Sequence, residues 1–343
     1  MYNFERTDDN IKKLAKKKWD SIAKPIDSLG EFENLFIKIS AIKENIDFSI
    51  KNKTMVVFCS DNGVVAEGVT QTDSSVTTIV ANNIPKGVAT ISKLSSACGA
   101  KAIAVDVGIN GDTPQGVLNY KVSKGTNNIA NRQAMTKEQM MQAINAGIDV
   151  VKNLKDKTDI IGLGEMGIGN TTTSSAVFSV LSQIAPELVT GKGAGLSKAG
   201  IQRKIQVIQA AIQKYQPNSA DVIDVLSKVG GLDICGMMGA FLGGAIYRVP
   251  VLIDGFISAV AANCAVRYAP ACKPFLYASH CSAEPAGKLA LEALQLPAYL
   301  ECGMCLGEGT GAVIGAKLFD FALAAYTEAA SFQQAQVTPY QPL

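Results

Sequence analysis

Apolar and polar positions along the chain alternate between two periods. Short runs rich in β-branched and aromatic residues end abruptly in glycine or polar residues. They are TMVVFCSDNG (Thr54 to Gly63), AKAIAVDVGI (Ala100 to Ile109), VPVLIDGF (Val249 to Phe256) and KPFLYASH (Lys273 to His280). A fifth, DIIGLGEMGIGNTT (Asp159 to Thr172), passes from an apolar run through a glycine loop into a helix opened by Asn170, Thr171 and Thr172. Between these runs the apolar residues recur at helical spacing. Thr136 and Gln139 fit a capping box, and Met141, Ile144, Ile148 and Val151 then mark one helix face. Similar patterns predict helices over 282–296 and 312–326.

Strands alternating with helices predict an α/β fold, a Rossmann-like parallel sheet with helices on both faces. Ligands of such sheets bind beyond the carboxyl ends of the strands. Asp61, Glu165, Asp254, Ser279 and His280 each stand where a predicted strand stops, so residues far apart in sequence are expected to converge on one crevice. The polar ends, 1–24 and 327–343, lie outside the alternation. They are expected to form a small helical domain or extension beside a large catalytic domain over 25–326. Within the first of them, KKLAKKKW reads as a solvated helix with Ile11, Leu14 and Trp19 turned inward.

Composition narrows the function classes. A chain of 343 residues with 48% hydrophobic content can bury a large core. Lysine plus arginine, 32, nearly balance 30 acids, and the formal charge of +2 offers no global attraction for nucleic acid or an anionic membrane. An anionic ligand would have to be held locally. The N-terminus has no continuous apolar run of the kind found in a signal peptide or a membrane span, and the chain reads as cytoplasmic. Its eight cysteines, set mostly in apolar or glycine-rich segments, read as reduced thiols. Cys302 and Cys305 form a CxxC without a second pair, so no metal site is expected, and a redox pair is the alternative reading. His280 is the single histidine, which excludes multi-histidine metal centres and leaves one candidate base for Ser/His/Asp chemistry.

Three segments could carry chemistry. GLGEMGIGNTTTSS joins glycines, hydroxyls and a helix start, a combination that suits an anion and equally suits a tight turn. It lacks the Gly-Lys-Ser/Thr of a P-loop, and its GxGxxG is not set in a dinucleotide-binding β-α-β unit. TGKGAGLSKAGIQRK offers Lys192, Lys198, Arg203 and Lys204 as counter-ions for a phosphate. LGEGTGA places Glu308 between Gly307 and Gly309, as either an acid at a helix start or a carboxylate presented to a ligand.

Taken together, KPIDSLGEFE, CSDNGVVAEGV, DVGI, GEMGIGNTT, DVLSKVGGLDICGM, LIDGF, SHCSAE and LGEGTGA resemble the nicotinate-nucleotide:dimethylbenzimidazole phosphoribosyltransferase family, in order and over nearly the whole chain. The resemblance implies a large parallel α/β domain, a small domain made from both chain ends, and a dimer. It implies transfer of the phosphoribosyl group of nicotinate mononucleotide to an aromatic lower-ligand base, with inversion to the α-linkage, in cobamide biosynthesis and without a cofactor. By motif position, Glu308 would be the general base, with Leu306, Gly307 and Gly309 around it, and Glu165 a second carboxylate near the ribose. Gly167, Asn170, Thr171, Lys204, Asp254, Gly255 and Ser279 would hold the phosphoribosyl group.

The chain departs from the family pattern in CSDNG, where Asn62 replaces a common histidine, and in KPIDSLG and SHCSAE. At positions implied to line the base pocket it has Thr72, Val80 and Met166 where serine, glutamine and leucine are usual. Loss of an amide and gain of a flexible thioether would reshape a pocket made for an azole, and imply acceptors that include phenol or p-cresol. Similar family members activate phenols as heterodimers in which one subunit keeps the glutamate, so the partner would be a second copy or a paralogue. The alternative expectation is a non-catalytic nucleotide-binding subunit of such a heterodimer.

Overall fold

The computed structural model describes Phe4 and residues 6–340. Its centre is a six-stranded sheet built from β1 (Lys53–Ser60), β2 (Ala100–Gly108), β3 (Leu118–Asn119), β4 (Ile160–Met166), β5 (Val251–Ile253) and β6 (Leu276–Ala278). The order is β3-β2-β1-β4-β5-β6, and each neighbouring pair is parallel. The chain therefore winds outward in one direction from β1 to β3 and in the other from β4 to β6. The turns after β1 and β4 flank the crevice at the reversal point.

Every residue of β1 and β4 is buried. That is why these strands read as unbroken apolar runs: helices cover both sheet faces and leave no solvent side to demand alternation. On one face lie the helices Lys137–Leu154, Leu232–Ile246 and Phe256–Tyr268; on the other lie Thr90–Cys98 and Thr310–Glu328. The first two helices touch backbone to backbone. A Cβ on Gly147 would stand 2.0 Å from the Gly236 carbonyl oxygen, and one on Gly239 would stand 1.9 Å from that of Ile144. Thr136 and Gln139 complete the expected capping box.

The outer strands are shorter than their apolar runs. β5 stops at Ile253 because Asp254 turns away to bind a helix end. Before β6, Pro270–Phe275 forms a 3-10 turn. The helix expected over 282–296 is confined to Gly287–Leu294, and the one expected over 312–326 extends over Thr310–Glu328. β3, two exposed residues at the sheet edge, has no signature in the pattern. No described helix is long and apolar enough to cross a membrane.

The two chain ends meet. The Ala23 amide donates to the Ala330 carbonyl at 2.9 Å, and Ile22 bridges Ser331. The helix Asp9–Ser21 buries Ala15 and Trp19, but Leu14, expected to face inward, is 49% exposed. Positions 11, 15 and 19 share a helix stripe at a spacing of four, and position 14 falls off it. Trp19 is fully buried, with its ring centroid 4.9 Å from that of Tyr326 and 6.2 Å from that of Phe36. Trp19→Ala should therefore lower unfolding free energy by about 3–5 kcal/mol, measured by denaturant titration. An unchanged midpoint would show that the ends do not share the core.

Candidate active site

The turn bearing Glu308 is shaped by three consecutive residues of positive φ: Gly307 at 86°, Glu308 at 60° and Gly309 at 86°. A non-glycine residue in the left-handed region is disfavoured by about 1–2 kcal/mol, so surrounding contacts must hold it there. Two do. β4 runs directly beneath, and a Cβ on Gly164 would lie 2.2 Å from the Gly309 nitrogen, so only glycine admits this approach. Asp254, at the end of β5, accepts from the amides of Gly309 at 3.0 Å, Gly311 at 2.7 Å and Ala312 at 3.0 Å.

Asp254 therefore caps the helix Thr310–Glu328, the task an acid at position 308 would have had in a plain structural role. Among the described residues the Glu308 side chain is left with one long hydrogen-bond contact, 3.4 Å from the Ile91 amide. Burial raises its pKa; the Ile91 amide opposes the rise and Asp254 adds to it.

Glu165 ends β4 beside this turn, with Gly307 so close that a Cβ there would be 2.5 Å from its Oε1. The side-chain amide of Asn170 donates both to Glu165 Oε2 and, at 2.9 Å, to Asp233 Oδ2. Burial and then the charge of Asp233 push Glu165 up to about 8, with smaller contributions from Asp254 and Glu308. Burial likewise pushes Asp233 and Asp254 to about 6. At neutral pH Glu165 is thus a neutral acid among carboxylates.

At the opposite end, Lys204 is fully buried, and its ammonium donates to Thr171 Oγ1 at 2.8 Å and to the Gly191 carbonyl at 3.3 Å. Burial lowers its pKa to about 8, against the pull of Glu284. Between the carboxylate end and Lys204 lies a cleft of about 330 Å³. A wider depression of about 620 Å³ beside Cys281 and Tyr299 holds none of the strand-end acids.

A family model described as Phosphoribosyltransferase matches residues 4–337. The chain is 43% identical over 338 residues to the nicotinate-nucleotide–dimethylbenzimidazole phosphoribosyltransferase of Clostridium acetobutylicum, covering 98% of this chain and 96% of that one. It is also 43% identical over 321 residues to the protein of that name from Halalkalibacterium halodurans, covering 93% and 90%. The chain belongs to the nicotinate-nucleotide–dimethylbenzimidazole phosphoribosyltransferase family. The crystal structure of CobT from Thermus thermophilus superposes with a TM-score of 0.91 at 33% identity, over 96% of this chain and all of that one.

In this phosphoribosyltransferase the cleft is lined by Thr72, Val80, Glu165, Met166, Gly167, Asn170, Thr171, Asp254, Gly255, Leu306, Gly307 and Glu308. Three other candidates stand behind its wall. Lys204 reaches it through Thr171. The Gly309 amide is bound by Asp254, and the Ser279 hydroxyl donates at 2.6 Å to the Ile253 carbonyl. Of the five strand-end residues expected to converge, Glu165, Asp254 and His280 line the cleft. Asp61 instead accepts from the Asn110 amide at 2.7 Å, and Ser279 packs beneath. Lys192, Lys198 and Arg203 are exposed, which leaves Lys204 as the buried cation of that segment. Asn62 lies buried near Thr173 and Ile168 as part of the frame.

Sequence reasoning missed Asp233, whose place in the first turn of Leu232–Ile246 reads as an ordinary dipole-stabilising acid. It also missed Glu284, which accepts from the Gly193 amide and joins the strand-end turns to the Lys204 loop. The hints were its position just beyond the last predicted strand and its place at the end of SHCSAE.

The raised pKa of Glu165 has a defined sign in stability. Its unfolded carboxyl titrates near 4.5 and its folded one near 8. Between these values the native state holds a proton that the unfolded chain has lost, so stability falls as pH rises through that window. Glu165→Gln should flatten the decline, giving a variant more stable than wild type at pH 8 and nearly equal to it at pH 4.5. Thermal melts across this range test the point; parallel curves would refute it.

Proposed function

We propose that the enzyme moves the phosphoribosyl group of nicotinate mononucleotide to an aromatic lower-ligand base, releasing nicotinate, in cobamide biosynthesis in the cytoplasm. The relatives' names supply the donor class and the azole acceptor, dimethylbenzimidazole. The observation that carries the reading is the exchange of roles at the helix Thr310–Glu328: Asp254 caps it, and Glu308 is left weakly bound, partly desolvated and directed to the cleft.

In this reading the acceptor attacks the anomeric carbon from the face opposite nicotinate, which converts the β-linkage to α. The bond from that carbon to the pyridinium nitrogen breaks, and its electron pair passes to the departing ring. Nicotinate thus leaves without needing a proton, and the catalytic demand falls on the acceptor, whose proton passes to Glu308. A raised pKa suits a base that must hold that proton. Glu165, with Asp233 and Asn170 behind it, faces the positive charge of the donor's ring and of the ribose as the bond breaks. The approach of a cation favours ionisation of Glu165 at the moment its charge is useful. Thr171 and Lys204, with the Gly167 turn, suit the phosphate, and Gly255 suits the ribose between. Asp254 and Ser279 act by holding the frame.

Thr72, Val76, Val80, Met166, Ile168 and Leu306 give the acceptor side of the cleft a mostly apolar lining with few directional polar groups. This supports an acceptor range wider than azoles, with phenol and p-cresol included, and assembly as a homodimer or with a paralogue.

Glu308→Gln should bind nicotinate mononucleotide with near wild-type affinity and lower turnover on the order of 100- to 10,000-fold. Calorimetry and product assay separate the two effects, and unchanged turnover would remove Glu308 from this role. Incubation with the donor and equal dimethylbenzimidazole and phenol, alone and with a paralogue present, should give α-linked products of both. Absence of any phenolic product in either case would confine the enzyme to azoles.

A further inference from the structure

His280 is not used by the reaction as written above, yet it lines the cleft and is only 3% exposed. Its surroundings determine which ring nitrogen carries the proton. Ser279 Oγ lies 2.6 Å from the Ile253 carbonyl oxygen, a distance at which the hydroxyl hydrogen must sit between the two oxygens. The same Oγ is 3.2 Å from His280 Nδ1. With its own hydrogen committed, the hydroxyl can only accept there, so Nδ1 bears the hydrogen and donates. Burial lowers the imidazole pKa, which keeps the ring neutral near pH 7. Nε2 is then a bare acceptor, and it has no protein partner among the described residues.

The position of the ring says what would occupy that acceptor. A Cβ on Gly311 would lie 1.8 Å from Nδ1, so the ring is pressed close against the first turn of the helix that follows Glu308. On its other side, the Cβ position of Gly255 is 3.8 Å from His280 Cε1 and 3.7 Å from Ser282. Two residues further on, Glu284 reaches the Gly193 amide at the Lys204 end. His280 therefore stands between the general-base turn and the buried lysine. In a nucleotide lying along the cleft, the sugar occupies the stretch between the glycosidic bond and the phosphate.

We propose that His280 Nε2 accepts a hydrogen bond from a ribose hydroxyl of the donor, making it a specificity-determining residue for the sugar; this rests on the phosphoribosyl-transfer reading above. The Ser279 hydroxyl is its positioning partner, holding the tautomer in which Nε2 is free. The selection is chemical: a hydroxyl can satisfy an acceptor that the bound donor closes off from water, whereas a deoxy sugar leaves it unpaired.

Because His280 is the only histidine, imidazole nitrogen NMR of the ¹⁵N-labelled wild-type protein reads this residue alone. The free protein should show a protonated Nδ1 and a bare Nε2. Nicotinate mononucleotide should shift the Nε2 resonance, and of its 2′-deoxy and 3′-deoxy analogues the one lacking the bound hydroxyl should not. In kinetics the wild type should disfavour that analogue by roughly 3- to 10-fold in kcat/KM. His280→Ala should bring the preference within about twofold, while His280→Gln, which retains an acceptor oxygen, should keep part of it. A bare Nδ1, or both analogues shifting Nε2 as the full donor does, would overturn the proposal in the wild-type protein whether or not a variant folds. Turnover with no Nε2 response defeats this proposal alone, whereas no binding or turnover of nicotinate mononucleotide defeats the reading on which it rests.

Discussion

The site depends on a buried carboxylate accepting from helix amides. Asp254 is 2% exposed and would be costly to ionise there without partners. The helix Thr310–Glu328 supplies them, because the first amides of a helix have no intrahelical acceptor. Each side resolves the other's unsatisfied groups, and the join ties the end of β5 to Gly309, 55 residues later in the chain. Three consequences follow from that one join. β5 ends at Ile253, Glu308 is relieved of capping and held in the left-handed region, and Gly311 is drawn close against the ring of His280.

The second constraint is repulsion. Glu165, Asp233, Asp254 and Glu308 crowd one end of a crevice whose acids are all raised in pKa. A fold selected for stability alone would replace one of them with an apolar or amide side chain. Asn170 moderates the crowding by donating to two of the four from the first position of the helix Asn170–Ser182, whose N-cap residue is Gly169. Retaining the acids sacrifices stability near neutral pH for a strong field in the cleft, a common balance at sites built for charged transition states.

Much of this was legible in the chain. Central strands buried on both sides appear as continuous apolar runs, and the strand-end rule then placed Glu165, Asp254 and His280 together. Helix boundaries and the short outer strands were less legible because tertiary groups set them: Asp254 lies beyond any local window around Thr310, and no local pattern marks two exposed residues as β3. The same limit hid the roles inside the site. LGEGTGA leaves the choice between helix cap and reactive carboxylate open, since the competing cap lies far away in sequence. Asp233 looks like any acid in a first helical turn until Asn170 is seen to bridge it to Glu165. Leu14 was misplaced for a local reason, because it stands one position from Ala15, which occupies the inward stripe of the first helix.

The two ends of the cleft also constrain how the proposed donor can lie. Its phosphate is anionic, and its nicotinate ring, which also bears a carboxylate, carries a positive charge at the pyridinium nitrogen of the glycosidic bond. Lys204, whose pKa burial lowers to about 8, holds its proton more firmly when a phosphate arrives, and Glu165, neutral in the empty cleft, regains a reason to ionise when a pyridinium arrives. Reversing the donor would set the phosphate against the cluster of acids, a like-charge contact in a partly desolvated space. Orientation thus follows from the charge pattern without a dedicated hydrogen bond to the nicotinate ring, which must depart freely. The acceptor, neutral and aromatic, is recognised by a different means, and the apolar side of the cleft can change from one member to another without disturbing how the donor is aligned.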